Sequence, residues 1–282
     1  MTDTPHLSVP HLSVVVPAYN NGRTLRETLR SVLDQDVDGL ELIVGDHSSA
    51  DDTAQVMAEF ASDPRVTLLT TEAGGGAGRN WNRVTSAATG TYLKLVCGDD
   101  VLRPGVLRRQ VELLERTGAV LTACRRDIID AEGRVLMPAW GLRGIARPMA
   151  GAEAVRRAVR AGSNLFGEPA SVTMRRDALV AAGGWSDAFP YLIDQATYSR
   201  VLLQGGFVPD DEVGATFRMS DAQWSVALVA EQSAQARGFH AWLRDEHPEV
   251  LSSFDRRYGD LRASLMARAR RLSYRVLQRR MR

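Results

Sequence analysis

Two adjacent carboxylates, Asp99 and Asp100, follow an apolar run, Thr91–Val96, in a chain of 282 residues. Carboxylates side by side repel, so a protein holds them in solvent or neutralises them with a cation. Mg²⁺ or Mn²⁺ takes one or two carboxylates and fills its shell with phosphate oxygens, so the pair suits an ion that neutralises a departing diphosphate. A solvated turn ahead of a helix at Pro104 is the other reading of this segment. Two more polar clusters stand in equivalent places: Pro17-Ala18-Tyr19-Asn20 after Leu12–Val16, and Asp46-His47-Ser48 after Leu40–Val44. The Tyr19 ring could stack on a base. Asp46 could accept the imide N–H of uracil or thymine, or close an Asx turn. Gly74-Gly75-Gly76-Ala77-Gly78-Arg79-Asn80 lets backbone N–H groups approach a phosphate that Arg79 could clamp, or is a plain surface loop. It lacks both the G-x-G-x-x-G register and a following Gly-Lys-Ser/Thr, which disfavours a dinucleotide site and a P-loop. Asp194, by itself, reads as a helix cap ahead of Gln195–Gln204.

The elements that must position these groups follow from apolar spacing. Leu12–Val16, Leu40–Val44, Val66–Leu69 and Thr91–Val96 read as strands. Between them lie helical patterns at Gly22–Asp34, from Asp51 or Asp52 onward, and from about Gly78, with Pro104–Arg116 as the next helix. This βαβ order implies a mostly parallel sheet with helices on both faces, and ligands then bind beyond the carboxyl ends of the strands. All three polar clusters follow strands, so all three are expected on one rim. Farther on, Ala119–Ala123, Arg134–Met137 and Ser171–Met174 read as strands, Ala150–Arg160, Arg175–Ala182 and Gln195–Gln204 as helices, and the chain from Trp224 as all helix.

Composition sets the outer limits. Apolar residues make up 44% and charged residues 24%, as in ordinary globular domains. No apolar run approaches the ~20 residues that span a bilayer. Residues 1–11 have no apolar core and read as a short disordered leader rather than a secretory signal. Cys97 and Cys124 match no metal-ligand spacing and suit a reducing cytoplasm. Residues 1–254 carry 25 basic and 32 acidic side chains, a net of −7, whereas residues 255–282 carry 10 Arg and 2 Asp, a net of +8. In that tail Tyr258, Leu261, Leu265, Ala269, Leu272 and Val276 repeat at helical spacing among arginines. Such a helix could pack on the acidic body, pair with a second subunit as a homodimer, or lie peripherally on the inner face of an anionic membrane. Packing, on the body or on a second subunit, is the plainer reading. Nucleic acid is disfavoured, because the stripe lacks a row of aromatics for bases to stack on.

In this order, the segments resemble the family 2 glycosyltransferases with the GT-A fold, over roughly residues 12–220. The resemblance rests on Val14-Val15-Val16-Pro17-Ala18-Tyr19-Asn20 and on Leu42-Ile43-Val44-Gly45-Asp46-His47-Ser48-Ser49-Ala50-Asp51-Asp52-Thr53, which is similar to the family's V-D-D-G-S-T-D-D-T. It rests also on Gly78-Arg79-Asn80, on Asp99-Asp100 with Pro104, and on Gly183-Gly184-Trp185 leading to Asp194. It implies a nucleotide-sugar-binding half at 12–117, an acceptor-binding half at 118–223 and a helical C-terminal region at 224–282. It implies further that Pro17, Tyr19, Asn20, Asp46 and Arg79 hold the nucleotide of a UDP- or dTDP-sugar. Asp99 would contact ribose or donor sugar, and Asp100 would ligate Mg²⁺ or Mn²⁺. Asp194 would be the general base of an inverting transfer to a glycan, lipid-linked or small-molecule acceptor. Asn164, Glu168 and Trp185 fall on the expected acceptor side. The chain departs from the family pattern at Gly45 and Cys97, where Asp is common, at Ile193, where Glu is common, and at Arg218-Met219-Ser220, where many members have Arg-x-His. These departures keep open a non-catalytic nucleotide-sugar-binding module. A nucleotidyltransferase is the other alternative, weakened by Lys94 being the sole lysine.

Overall fold

The structure, a computed structural model, describes residues 11–219 and 231–280, with side chains to Ala269. The proposed leader, residues 1–10 of it, and residues 224–230 of the C-terminal region lie outside the described residues. Strands β1 (Leu12–Ala18), β2 (Leu40–Asp46), β3 (Val66–Thr70) and β4 (Tyr92–Leu95) pair in parallel in the order β3-β2-β1-β4. Helices α1 (Leu25–Leu33), α2 (Thr53–Ala58) and α3 (Gly76–Ser86) connect them. β1 and β2 are buried on both faces, which explains their continuous apolar runs. Successive side chains alternate between two cores: Val15, Ile43 and Leu93 enter one, Val14, Val16, Leu42 and Val44 the other.

Beyond β4 the sheet becomes mixed. Helix α4 (Val106–Thr117) leads to β5 (Leu121–Ile129), β6 (Val135–Trp140), β7 (Met149–Ala150), α5 (Gly151–Ala161), β8 (Val172–Arg175), α6 (Arg176–Ala181), α7 (Ile193–Leu202) and β9 (Gly206–Arg218). β8 is antiparallel to both β4 and β5, so β5 points the same way as β4, and β9 pairs in parallel with β5. The described residues thus form one nine-stranded, mostly parallel sheet flanked by helices, as expected for GT-A. Two helices, α8 (Gln232–Glu246) and α9 (Ser253–Arg280), follow.

β9 has no counterpart in the sequence reading. Pro209, Asp210, Asp211, Glu212 and Gly214 break its apolar alternation. The fold absorbs them with register shifts against β5 and with an ion pair from Arg109 of α4 to the buried Asp210, 2.8 Å. The helix α7 also begins two residues earlier than expected, which sets Asp194 in its first turn rather than at its cap.

Gly45 and Asn80 are linked. The buried Asn80 amide donates to the carbonyls of Gly45 (2.9 Å) and Ala18 (3.3 Å), tying the ends of β2 and β1 to α3, and its oxygen accepts from Thr71 Oγ1 at 2.7 Å. A Cβ at Gly45 would stand 2.4 Å from Val84 Cγ1 and 2.9 Å from Asn80 Oδ1. The carboxylate common in the family therefore has no room here. Gly45→Ala is expected to destabilise the fold by about 1–3 kcal/mol through overpacking, a drop of roughly 2–10 °C in a thermal melt.

Candidate active site

β1, β2, β4, β5 and β9 share one direction, so their carboxyl ends form one rim. With the start of α7 and the segment entering β8, that rim surrounds a cavity of about 1420 Å³. Pro17, Tyr19, Asn20, Asp99, Asn164, Glu168 and Asp194 all line it. Asp46, Arg79, Asp100 and Trp185 are not among its lining residues.

On one side the turns after β1 and β2 are stitched together. Asn20, left-handed at φ 52°, donates its N–H to Ser49 Oγ (2.9 Å) and accepts from Ala50 N–H at Oδ1 (2.9 Å). Asn tolerates that conformation better than most residues. This fixes Tyr19, whose exposed ring meets His47 edge-on with centroids 6.0 Å apart. A ring nitrogen of His47 lies 2.9 Å from the Gly74 carbonyl, which anchors the glycine loop beside Tyr19. Asp46 braces its own turn: its Oδ1 accepts from Ser49 N–H, three residues on, at 3.1 Å. Arg79 turns to the surface, donating to Glu72 (2.9 Å) and the Ala73 carbonyl (3.1 Å), and leaves Gly74, Gly76 and Ala77 to border the cavity.

Cys97, Asp99 and Asp100 bring their ligand atoms within 4.8 Å of one another, the one such group among the described residues. Asp99 is half-buried and faces the cavity, whereas Asp100 lies fully buried behind it. Asp100 Oδ1 accepts from Arg218 N–H at 3.1 Å, and Oδ2 has no hydrogen-bond partner. Burial, then the neighbouring Asp99 charge, pushes the Asp100 carboxyl well above the usual range. Burial also raises the Cys97 thiol. A buried, unpartnered carboxylate oxygen next to a second carboxylate fits a hard divalent cation. Arg218, at the end of β9, braces the pair: its Nε donates to the Asp99 carbonyl (2.9 Å) and its Nη2 to Glu27 (2.8 Å).

On the other side Asp194 accepts from Asn164 Nδ2 at Oδ2 (2.8 Å) and from Gln195 N–H at Oδ1 (2.7 Å). Burial raises its carboxyl to about 7, aided by the Glu168 charge and opposed by these hydrogen bonds and by Arg126. Arg126, buried in β5, forms an ion pair with Glu168 and donates from Nη2 at 3.0 Å. Trp185 departs from its expected place on the acceptor side. It is buried in the core, where its indole N–H donates to Thr85 Oγ1 at 2.9 Å and its ring packs against Trp81 and Tyr198. Trp81 lines the cavity instead.

The sequence reading missed Arg126, Trp81 and Gln232. The Arg125-Arg126-Asp127 run inside the Leu121–Ile129 strand was the available signal for the first. Gln232 is buried at the cavity wall with neither amide atom hydrogen-bonded, so it offers both donor and acceptor groups to an entering molecule. The sole lysine, Lys94, is remote from this chemistry: it is buried and donates to Gln110 Oε1 at 2.8 Å.

The sequence profile of glycosyl transferase family 2 matches residues 13–181, more than half of the chain. The chain belongs to this family. It is similar to the uncharacterized protein MT1568 of Mycobacterium tuberculosis (strain CDC 1551 / Oshkosh), at 32% identity over 72% of this chain and 66% of that one. It is also similar to WfgD of Escherichia coli, a UDP-Glc:α-D-GlcNAc-diphosphoundecaprenol β-1,3-glucosyltransferase, at 33% identity over 36% of this chain and 40% of that one. The chain thus spans from about a third to two thirds of the length of the curated relatives it matches. Among solved structures it superposes on Staphylococcus aureus TarS 1–349 in complex with UDP-GlcNAc with a TM-score of 0.67, 16% identity, and coverage of 83% of this chain and 67% of that one. The mannosyltransferase PcManGT of Pyrobaculum calidifontis, in complex with GDP-Man and Mn²⁺, gives a TM-score of 0.61 at 17% identity and covers 96% of this chain and 81% of that one. These likenesses establish the GT-A fold.

Proposed function

We propose that this family 2 member moves a sugar from a nucleoside-diphosphate sugar to an acceptor hydroxyl, inverting the anomeric carbon, with Asp194 as general base. The observation that carries this reading is Asp194 itself. It is oriented by Asn164 and the Gln195 N–H, poised near pH 7, and faces the same cavity as Tyr19 and Asp99. A base tuned to the working pH is what proton transfer requires. The Asp194 carboxylate takes the acceptor's hydroxyl proton as the oxygen bonds to the anomeric carbon. The carbon–oxygen bond to the diphosphate breaks and its electron pair leaves with the phosphate. Attack opposite the leaving group inverts the centre.

Tyr19 and the glycine loop serve the nucleotide in this reading. Asp99 and Asp100 would hold Mg²⁺ or Mn²⁺, and such an ion neutralises charge on the leaving diphosphate when bound. The Mn²⁺ in the PcManGT complex supports that assignment, and UDP in WfgD and TarS supports a uridine donor. Asn164, Glu168 and Gln232 face the acceptor, for which the WfgD name supports a lipid-linked glycan. A nucleotidyltransferase gains no support, since Lys94 is buried away from the cavity.

The test is nucleoside diphosphate release from a panel of UDP-, dTDP- and GDP-sugars with glycan and lipid-linked acceptors, with the product anomer read by NMR. Retention of configuration, or no release from any donor, would sink the proposal. The ion pair beside the base supplies a second check. Glu168 raises and Arg126 lowers the Asp194 carboxyl. Arg126→Gln is therefore expected to move the acidic limb of the rate profile to higher pH, and Glu168→Gln to lower pH. Two shifts of the same sign would rule out this electrostatic account.

A further inference from the structure

The last helix has two opposed faces among its described residues, one packed closely on the body and one largely exposed. Its inward face carries Gly259, Ala263 and Ala267, which bring the backbone of α9 close against α5. A Cβ at Gly259 would lie 2.6 Å from the Val159 carbonyl oxygen, and one at Gly162 would lie 2.3 Å from the Ala263 nitrogen. His240 of α8 pins the same face through Asp260, 2.8 Å away. The outward face carries Phe254, Tyr258, Leu261 and Leu265, which are 66%, 41%, 58% and 47% exposed. They follow one another at spacings of four, three and four, so they form a single stripe along the helix. These are half of the large apolar side chains exposed among the described residues, gathered on one helix face. Tyr258 meets the body through Arg160 of α5, whose guanidinium lies 5.9 Å from the ring centroid, while Phe254, Leu261 and Leu265 stay exposed.

The charges on either side of the stripe choose its partner. Arg257 and Arg268 flank one edge and Arg262 the other, all exposed. The only acids in residues 255–282, Asp255 and Asp260, belong to the inward side, where Asp255 is buried and Asp260 meets His240. The sequence carries the apolar spacing on through Leu272 and Val276 and adds six more arginines after Arg268. A second copy docked face to face would press these arginines on one another. A surface that is apolar inside and anionic at its boundary matches both features at once.

We propose that α9 lies flat on an anionic lipid bilayer, with Phe254, Tyr258, Leu261 and Leu265 entering the acyl boundary and the flanking arginines meeting headgroup phosphates. The same helix lends Ala263, Met266 and Ala267 to the wall of the cavity. Docking there brings the cavity up to the bilayer, where a lipid-linked acceptor would present its hydroxyl. The surface rests on the stripe alone, not on the transfer reading, and its test needs no turnover.

The full chain is sedimented with phosphatidylcholine vesicles, with and without phosphatidylglycerol. Binding is expected only with phosphatidylglycerol and is expected to weaken as salt rises. Leu261→Ser with Leu265→Ser should lower the partition coefficient at least tenfold. Arg257→Gln, Arg262→Gln and Arg268→Gln together should lower it roughly a hundredfold. Both sets alter exposed positions, and an unchanged melting temperature checks that they fold. No binding to anionic vesicles, or equal binding by both variants, overturns the proposal. So does a wild-type dimer that ignores vesicles and falls to monomer in the Leu261→Ser, Leu265→Ser variant.

Discussion

Asp194→Asn is expected to lower the transfer rate by ~10²–10⁴-fold, the usual contribution of a positioned base, while nucleotide binding changes little. The amide has nearly the same shape, and the cavity keeps Tyr19 and Asp99. Steady-state nucleoside diphosphate release, set beside calorimetric binding of the same nucleotide, separates the two effects. In the wild type the rate should fall as pH drops below about 7, because the carboxyl protonates and can no longer accept the hydroxyl proton. The same group governs a stability term. Its folded value of about 7 exceeds the ordinary aspartate value of about 3.9, so between these limits the unfolded chain releases a proton that the folded chain keeps. Rising pH therefore costs the wild type stability across that window, and the loss levels off above it. Asn does not titrate. The melting temperature of Asp194→Asn minus that of the wild type should grow with pH from about 4 to about 7. A difference that is flat with pH would mean that Asp194 is an ordinary solvated carboxylate.

Removal of the divalent ion is the second large effect. Chelation by EDTA is expected to lower transfer by ~10³-fold, the equivalent of the several kcal/mol that a cation contributes to a departing diphosphate. Asp99→Asn should behave alike, with partial rescue by excess Mn²⁺. Asp100→Asn should weaken the ion too, because an amide oxygen is a poorer ligand for a hard cation than a carboxylate, while the Arg218 N–H can still donate to it. Full activity in EDTA would exclude a metal role and would leave Arg218 as the only described cation bracing this corner of the cavity.

Much of this was legible in the sequence because it depends on local pattern. Val14-Val15-Val16 and Leu42-Ile43-Val44 are buried on both faces, so they announce the parallel sheet, and the rule of carboxyl-end loops then gathers Tyr19, His47 and Asp99 on one rim. What escaped depends on distant partners. β9 shows no strand pattern in the sequence because its acids are matched by Arg109 and by bulges against β5, neither of which is local. Trp185 follows a glycine pair as a surface residue might, but its indole N–H finds Thr85, a hundred residues away, and the ring goes inward. Asp99 and Asp100 look equivalent as letters. Only the return of Arg218 to the backbone of that turn buries one of them behind the other. Arg79 suited a phosphate clamp by position, yet Glu72 on the same loop draws it to the surface.

The central claim is that the cavity binds a nucleoside diphosphate through a divalent ion at Asp99 and Asp100. Thermal stability with UDP, dTDP and GDP, each with Mn²⁺ and with EDTA, tests it most directly, since a ligand of the folded state raises the melting temperature by mass action. The account predicts a rise with one nucleotide in Mn²⁺ that EDTA and Asp99→Asn both abolish. A rise with no nucleotide, or one that is the same in EDTA, would contradict it.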